Sequence, residues 1–397
     1  MNIIEVKNLY KVFGKHFNRG LKLAKDGKTK DYILEKTGQT IAVNNVSFTI
    51  KAGEIFVVMG LSGSGKSTLV RCLNRLIKPT RGSVLVDNKD VTKLNKEKLQ
   101  DFRRQEISMV FQSFAIFPHK NILENVAYGL KIKKMAVSER QEKARKVLDM
   151  VGLKGWEESY PGELSGGMQQ RVGLARALAT ETKILLMDEA FSALDPLIRK
   201  EMQNELLELQ NFMNRTIVFI THDLDEALKL GDRIALMKDG EIVQIGTPEN
   251  ILMSPATDYV EEFVEDVDRS KVFTAEMAMQ KTTATIVHPK AGPRVALRTM
   301  QKNGISSVFA VDKERHLVGL VLAEDALNAI ENKQNDLEKI LQKDLPTVFP
   351  DTPLNEIFTF LSGKSLPLAV VNEQNKLLGV IVRGSVMAKL AKRGAND

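Results

Sequence analysis

The segment GLSGSGKS at residues 60–67 constrains the fold of this 397-residue chain more than any other feature. It follows an apolar run, IFVVM at 55–59, and it precedes a helical pattern. Glycines at these spacings let the backbone curl so that successive N–H groups face inward, and the following helix N-terminus adds positive potential. A lone glycine-rich turn is common, but this context predicts a phosphate-binding loop, and therefore ATP or GTP binding.

This phosphate loop (60–67) supplies the first part of a candidate nucleotide site. Lys66 is predicted to reach the β- and γ-phosphates, and the Ser67 hydroxyl is predicted to ligate Mg²⁺. The ATP-binding residues that we expect here are Gly60, Ser62, Gly63, Ser64, Gly65, Lys66, Ser67 and Thr68.

An acidic pair, Asp188 and Glu189, ends another apolar run at 184–187. Taken alone, such a pair more often caps a helix or forms a turn. Its position after a phosphate loop favours a catalytic interpretation. Asp188 is predicted to hold Mg²⁺ through water, and Glu189 is predicted to act as the general base on the attacking water.

Apolar runs alternate with helical patterns as far as about residue 236, which is typical of an α/β domain with parallel strands. The runs are almost wholly apolar, as expected for strands that are covered on both faces. Residues 234–247 read as a hairpin with an Asp-Gly turn, and Tyr259 to Val267 as a connecting helix. The predicted strands are 55–59, 107–111, 184–187 and 216–220.

A third motif, LSGGMQQR at 164–171, lies shortly before the acidic strand and resembles the signature of ABC (ATP-binding cassette) ATPases. Gln112, the SALD loop at 192–195 and His222 also resemble this family, and all occur in family order. The resemblance covers residues 3 to about 250. It implies an ABC-type P-loop nucleotide-binding domain at 1–268, with a helical subdomain at about 113–180.

The resemblance also implies a head-to-tail dimer in which each chain completes the ATP site of the other. Ser165, Gly166, Gly167 and Gln169 would then form a second phosphate cradle at a helix N-terminus. Asp195 would line the seam between the two copies.

Further site roles follow from the same family resemblance. His222 is implied to contact the γ-phosphate, and Gln112 to touch both Mg²⁺ and a transmembrane permease. Lys66, Gln112, Glu189 and His222 are thus the expected catalytic set. Phe13 occupies the position of an adenine-stacking aromatic residue, with Tyr10 as the competing candidate.

Residues 270–397 contain an internal repeat. AVDKERHLVGLV at 310–321 aligns with VVNEQNKLLGVI at 370–381, an offset of 60 residues, and the same offset pairs Leu297 with Ile357 and Met300 with Phe360. Each copy reads helix, strand, turn, strand, helix, which favours duplication over chance. The pair resembles tandem α+β cystathionine-β-synthase-type (CBS) repeats, at about 270–332 and 333–397 within a regulatory domain at 269–397.

The full chain resembles the ATPase subunits of glycine betaine/proline importers most closely, through motifs such as LLMDEAFSALDPLIR and THDLDEAL and through ILEKTG at 33–38. This implies an ATPase at the cytoplasmic face of the cell membrane, working with a permease and a solute-binding protein or domain in osmoprotection. Three alternatives stay open: import of another solute, such as an amino acid or phosphonate, a non-transport ABC ATPase, and a nucleotide sensor with weak ATPase activity.

CBS pairs bind adenosine-containing ligands between their repeats, so the resemblance implies a ligand such as cyclic di-AMP. Segments 322–325 and 382–385 are the candidate cleft walls, and Arg383 is expected to pair with a ligand phosphate. Glu324 and Asp325 would repel one at the first cleft. A dimerisation module without ligand is the alternative.

Composition narrows the choice of partners. No run approaches the ~18 apolar residues of a membrane helix, so any membrane role is expected to come through a partner, and the single cysteine, Cys72, fits a reducing compartment. Net charge is +7, and Lys11 to Lys36 holds eight Lys/Arg against three Asp/Glu. With no aromatic array for stacking bases, we expect a solvated basic insert (15–40) and no nucleic-acid partner.

Overall fold

The structure, a computed structural model, describes residues 1–112, 115–192, 194–213, 215–265, 267–281, 284–361 and 366–390. Its contacts divide the chain into two units, Met1–Val267 and Asp268–Asp397. Parts of the predictions lie outside the described residues: 113–114 at the expected start of the helical subdomain, Ala193 of the SALD loop, residue 266 of the expected connecting helix, and residues 282–283, 362–365 and 391–397 of the expected repeats.

The first unit alternates strands and helices. Its strands are β1 (Asn2–Phe13), β2 (Thr40–Lys51), β3 (Ile55–Met59), β4 (Arg81–Val86), β5 (Lys89–Asp90), β6 (Ile107–Val110), β7 (Ile184–Asp188), β8 (Thr216–Thr221), β9 (Arg233–Lys238) and β10 (Glu241–Gly246). Its helices are α1 (Asn18–Lys25), α2 (Lys30–Thr37), α3 (Lys66–Leu73), α4 (Lys96–Gln105), α5 (Ile122–Ile132), α6 (Val137–Met150), α7 (Gly166–Ala179), α8 (Pro196–Met213), α9 (Leu224–Leu230), α10 (Pro248–Met253) and α11 (Asp258–Phe263).

The central sheet has the order β10-β9-β3-β8-β7-β6. All its pairs are parallel except the β9–β10 hairpin, which turns at Asp239 and Gly240. Every residue of β3, β7 and β8 is buried, as the apolar runs predict. Parallel strands bring their carboxyl ends to one edge of the sheet. The phosphate loop, the acidic pair and His222 therefore meet at that edge.

A second sheet, with the order β2-β1-β4-β5, is antiparallel and was not predicted. Its buried face packs on the same hydrophobic core as α3 and the central sheet. The rings of Phe48 on β2 and Phe56 on β3 stack with their centroids 5.1 Å apart. The phosphate loop therefore begins on a strand that is held from both faces.

The region predicted as a helical subdomain contains α5, α6 and α7. Asn125 of α5 is fully buried, and its amide donates to the carbonyls of Phe117, Lys120 and Asn121 while accepting from the Phe117 N–H. A buried amide with several partners stabilises the chain that enters α5.

The connecting helix is shorter than predicted. Helix α11 ends at Phe263, so Val264 and Val267 lie beyond it. Val260 and Val264 are buried, which accounts for the apolar pattern without a longer helix.

The second unit consists of two similar α/β halves. Its strands are β11 (Thr285–Val287), β12 (Ser307–Val311), β13 (Leu317–Leu322), β14 (Thr347–Val348), β15 (Leu368–Val371) and β16 (Leu377–Ile381). Its helices are α12 (Ala275–Ala278), α13 (Pro293–Asn303), α14 (Ala323–Glu331), α15 (Leu354–Leu361) and α16 (Arg383–Leu390).

The two halves repeat one topology, with sheet orders β11-β12-β13 and β14-β15-β16. In each, the first pair is parallel and the second antiparallel. The halves also exchange strand contacts: Leu320 pairs with Gln342, and Val380 pairs with Gln280. The equivalence is looser on the helices, because Met300 is buried whereas Phe360 is 44% exposed.

No helix within the described residues has the length and apolar character needed to cross a membrane.

Candidate nucleotide site

Close backbone approach explains the glycines of the phosphate loop. A Cβ on Gly60 would lie 2.2 Å from the Met237 carbonyl oxygen, and one on Gly65 would lie 2.0 Å from the Ala42 carbonyl oxygen. Both glycines also have positive φ, +147° and +102°, which side chains rarely adopt. The loop therefore curls directly against two neighbouring strands and leads into α3. The buried Ser64 hydroxyl has no hydrogen-bond partner among the described residues, so it is available to a bound group.

Lys66 is only 4% exposed and lies inside the curl of this loop. Its Nζ donates to the carbonyls of Gly60 at 2.8 Å and Leu61 at 3.1 Å, and it lies 3.9 Å from Glu189 Oε1. Burial lowers the pKa of Lys66, while the carboxylates of Glu189 and Asp188 oppose that shift. An anion in the loop would supply a further partner of opposite charge.

Ser67 and Asp188, the two residues predicted to share a metal ion, are in direct contact. Ser67 Oγ donates to Asp188 Oδ1 at 2.8 Å. Arg71 donates to the other oxygen, Oδ2, from Nε at 3.1 Å and Nη2 at 2.9 Å. Arg71 is not among the residues that the sequence motifs predicted for this site. The available signal was its spacing, because Ser67 and Arg71 stand four residues apart and so share one face of α3.

Glu189 lies between the side chains of Gln112 and His222. Gln112 Nε2 donates to Glu189 Oε2 at 3.1 Å, and His222 Nδ1 lies 3.7 Å from the same oxygen. The backbone of Glu189 has φ +48°, an unusual value for a residue with a side chain. Its N–H donates to the Ile220 carbonyl at the end of β8. A strained backbone held by a neighbouring strand is a recurrent feature of functional sites.

These side chains form an oxygen-rich donor set. The Ser67 hydroxyl, the Asp188 carboxylate and the amide oxygen of Gln112 are all ligands of the kind that Mg²⁺ accepts. Ser67 and Asp188 are already within hydrogen-bond distance of each other. The residues present therefore fit a divalent cation bound together with nucleotide phosphates.

The signature segment (164–171) makes its own local hydrogen bonds. Ser165 caps α7 by accepting from the Met168 N–H, and Gln169 Nε2 donates to the carbonyls of Pro161 and Leu164. Ser165 and Gly166 are exposed. Within the described residues of this single chain, the hydrogen bonds of Ser165 and Gln169 stay within the signature segment and the turn before it, and they do not reach the cluster around Glu189.

Asp195 is exposed at the start of α8, where its carboxylate accepts from the Ile198 N–H at 3.1 Å. A Cβ on Gly167 would lie 2.9 Å from Ile198 Cγ2. The signature and the SALD loop are therefore neighbours, although they belong to different elements.

The two candidates for adenine stacking differ in exposure. Phe13 ends β1 and is 40% exposed, whereas Tyr10 is only 8% exposed and belongs to the core. Lys11 Nζ lies 4.6 Å from the centroid of the Phe13 ring. Phe13 is thus the ring that a base can reach.

In the second unit, the candidate cleft residues stand at helix starts. Arg383 is exposed at the first residue of α16, and Glu324 is exposed in the first turn of α14. Asp325 Oδ2 accepts from Gln342 Nε2 at 3.4 Å. The first turn of α14 thus carries two carboxylates, whereas the first turn of α16 carries none. This is the difference in charge that was expected between the two candidate cleft walls.

Comparison with protein families matches both units. The ABC transporter family model matches residues 43–192, and the CBS domain model matches residues 264–332 and 337–392. These matches confirm the two resemblances drawn from the sequence motifs and the repeat.

Similar proteins extend over nearly the whole chain. The glycine betaine transport ATP-binding protein of Bacillus subtilis is 55% identical over 98% of this chain and 92% of its own length. The glycine betaine/carnitine transport ATP-binding protein of Listeria monocytogenes is 53% identical over 100% of this chain and 99% of its own length.

A solved structure matches the cassette part. It is a dimeric ATP-binding cassette in a post-hydrolysis state bound to ADP and Pi, with a TM-score of 0.53 and 34% identity. The match covers 62% of this chain and 98% of the chain in that solved structure. Given this extent of identity to transport ATP-binding proteins, the chain belongs to the ABC transporter family, as an ATP-binding subunit that carries CBS domains.

Proposed function

We propose that this chain hydrolyses ATP to drive import of glycine betaine, or of a related quaternary-ammonium osmoprotectant, through a membrane permease. The main support for this proposal is that five side chains lie together at one edge of the central sheet: Lys66, Ser67, Asp188, Glu189 and Gln112. The solute is argued from the relatives, whose names include glycine betaine, proline betaine, carnitine and choline transport.

Each residue of the cluster has a distinct role in this proposal. The N–H groups of the phosphate loop and Lys66 bind the phosphates, and Phe13 stacks on the adenine. Ser67, Asp188 and Gln112 would hold Mg²⁺, which would neutralise phosphate charge. Glu189 takes a proton from the attacking water, and His222 and Gln112 orient that carboxylate and the γ-phosphate. Arg71 keeps Asp188 in position through its two donors.

A second copy completes the site in this proposal. The exposed N-terminus of α7, with Ser165, Gly166 and Gly167, would meet the γ-phosphate bound by the other chain. Asp195 would lie at the seam. The dimeric, nucleotide-bound state of the similar cassette supports such an arrangement.

The permease partner is proposed to dock beside Gln112. A cavity of about 570 Å³ lies between α4, β6, α5 and α7. Its apolar lining includes Met109, Phe111, Tyr128 and Ile132. Arg103 also lines it and gives the cavity a cationic wall. A cytoplasmic segment of the permease with an apolar face and an acidic residue fits this lining. Peripheral attachment at the cytoplasmic face of the membrane follows from that docking.

Division of labour between the units is also a proposal: residues 1–268 as the ATPase domain and 269–397 as a regulatory domain. Arg383 would bind a phosphate of an adenine dinucleotide such as cyclic di-AMP. Arg383 is exposed, and the first turn of its helix, α16, carries no carboxylate, whereas the first turn of α14 carries two. Both observations support a phosphate site at Arg383 over one at the start of α14.

Reconstitution with its permease and solute-binding partner in vesicles tests the proposed function. ATP-dependent uptake of labelled glycine betaine is expected to exceed uptake of choline, an amino acid and a phosphonate supplied at equal concentration. A Lys66→Ala complex serves as the control without nucleotide-driven uptake. Preference for the amino acid or phosphonate would reassign the solute, and ATP hydrolysis without coupling to any permease would favour a non-transport ATPase.

A further inference from the structure

The basic insert (15–40) is a built element and not a loose excursion of the chain. Its helices α1 and α2 share a small core with the strands on either side, formed by Val12, Ala24, Ile33 and Ile41. Thr29 caps α2 by accepting from the Tyr32 N–H, and Gly38 ends that helix with φ +64°. The position of α2 relative to β1 and β2 is therefore determined by packing.

A buried glutamine closes the base of this insert. Gln39 is 4% exposed, and its Oε1 accepts from the Gly20 N–H at 2.8 Å. Its Nε2 donates to the carbonyls of Lys15 at 2.7 Å and His16 at 3.0 Å. A buried amide with both ends satisfied favours one arrangement of the segment.

One cation of the insert is directed at the phosphate loop. The other lysines and the arginine of segment 15–40 are exposed, whereas Lys30, the first residue of α2, is partly buried. Lys30 Nζ donates to the Gly63 carbonyl at 2.9 Å. The expectation of a solvated insert therefore describes its other cations but not Lys30.

This contact orients a peptide plane in the loop. In a trans peptide, the C=O and the following N–H point in opposite directions. With the Gly63 carbonyl drawn outward to Lys30, the Ser64 N–H is turned across the loop, where it donates to the Leu61 carbonyl at 3.2 Å. Gly63 has φ +79° and, as a glycine, little intrinsic barrier to other conformations.

Two further contacts of the phosphate loop are made by backbone groups of neighbouring segments. The Gly240 N–H donates to the Ser64 carbonyl at 3.0 Å, and the Ala42 carbonyl lies close against Gly65. Because the Lys30 contact comes from a side chain, a substitution can remove it without altering those backbone contacts.

We propose that the basic insert is a positioning element of the nucleotide site and that Lys30 is the residue through which it acts. Lys30 holds the Gly63–Ser64 peptide in the orientation that turns its N–H across the loop, and it adds positive potential beside the bound phosphates. This inference deepens the proposed nucleotide site and rests on it. Because the loop holds phosphates common to both nucleotides, ATP and ADP are affected alike, and the chemical step at Glu189 is not.

The test compares variants of the full-length chain. Lys30→Met removes the ammonium and keeps the aliphatic stem, Lys30→Gln keeps a donor without the charge, and Lys30→Arg keeps both. Lys25→Met removes one exposed charge of the same insert and is the matched control. Equilibrium binding of Mg-ATP and Mg-ADP gives Kd, and hydrolysis by the complex with the permease gives KM and kcat.

For Lys30→Met we expect Kd for both nucleotides, and KM for ATP, to rise about five- to tenfold, with kcat within about twofold of wild type. Lys30→Gln is expected to fall between Lys30→Met and wild type. Lys30→Arg and Lys25→Met are expected to stay within about twofold of wild-type Kd. An unchanged Kd in Lys30→Met, or equal weakening in Lys25→Met, would overturn the proposal.

Measuring both binding and hydrolysis distinguishes failure of the proposed function from failure of the proposed role of Lys30. A wild-type chain that binds nucleotide but does not hydrolyse it contradicts the proposed function, while the Kd comparison still decides the role of Lys30. A wild-type chain that hydrolyses ATP with Lys30→Met unchanged contradicts the role of Lys30 alone.

Discussion

The two units hold their candidate residues in different ways. In the first unit, side chains from α3, β7 and the segments after β6 and β8 form one cluster joined by contacts of 2.8 to 3.9 Å, and Asp188 is fully buried. In the second, Arg383 is exposed at the start of a helix. A hydrolytic site must orient groups before the reaction, whereas a sensor needs only different affinity for two conformations. This difference fits the proposal of hydrolysis in the first unit and control in the second.

The largest effect is expected at the proposed base. Glu189→Gln keeps the size of the side chain and its contacts with Gln112, but it removes the proton acceptor. Turnover is expected to fall by about 10² to 10⁴, while ATP binding persists because Lys66 and the loop are untouched. Steady-state hydrolysis and equilibrium ATP binding measure the two effects.

Glu181→Gln provides the matched control, since that glutamate is exposed and its carboxylate forms an ion pair with Lys143 at 3.0 Å. It should hydrolyse ATP at the wild-type rate. Hydrolysis by Glu189→Gln within a few-fold of wild type would mean that another group is the base.

A smaller effect is expected when the second unit is removed. Truncation after Asp268 should leave ATP-driven uptake intact and abolish inhibition by cyclic di-AMP, because the cassette cluster lies entirely within Met1–Val267. A tenfold inhibition corresponds to only about 1.4 kcal/mol of coupling. Dinucleotide titration of uptake in vesicles measures it.

Arg383→Ala should weaken the same inhibition, and Lys389→Ala, an exposed cation on the same helix, should not. If the full-length protein neither binds the dinucleotide nor responds to it, the second unit is a dimerisation module.

The smallest effect concerns stability and leaves hydrolysis unchanged. A Cβ on Gly319 would lie 2.7 Å from the Gln342 carbonyl oxygen and 2.6 Å from Leu341 Cγ. Gly319→Ala is therefore expected to destabilise the second unit by about 1–3 kcal/mol. At the equivalent Gly379, the nearest atom is the flexible Met279 Sδ at 2.7 Å, so Gly379→Ala should cost less.

Amide hydrogen exchange in β12 and β15 of the full chain measures this loss of stability. Gly384→Ala is the control, because a Cβ there meets nothing within 4 Å. Equal protection in Gly319→Ala and Gly384→Ala would show that the strand exchange at Leu320 and Gln342 is looser than described.

The sequence predicted the parallel strands and the residues that cluster around Glu189 because both depend on local signals: buried apolar runs, and motifs placed directly after them. It did not predict the antiparallel sheet of β1, β2, β4 and β5, whose half-buried strands carry weaker patterns. Arg71 and Lys30 were missed for another reason. Each acts across a tertiary contact, and an isolated basic residue on a helix usually indicates only a solvated face.

The central claim is that two copies of this chain complete each other's nucleotide site, and purified heterodimers test it most directly. Pairing Lys66→Ala with Ser165→Arg puts both lesions in one composite site and leaves the other intact. Pairing wild type with a chain that carries both substitutions damages both sites with the same two changes. ATP hydrolysis by the first heterodimer is expected to be well above that by the second and by either mutant homodimer. Equal, near-background hydrolysis in both heterodimers, or greater hydrolysis in the second, would contradict it.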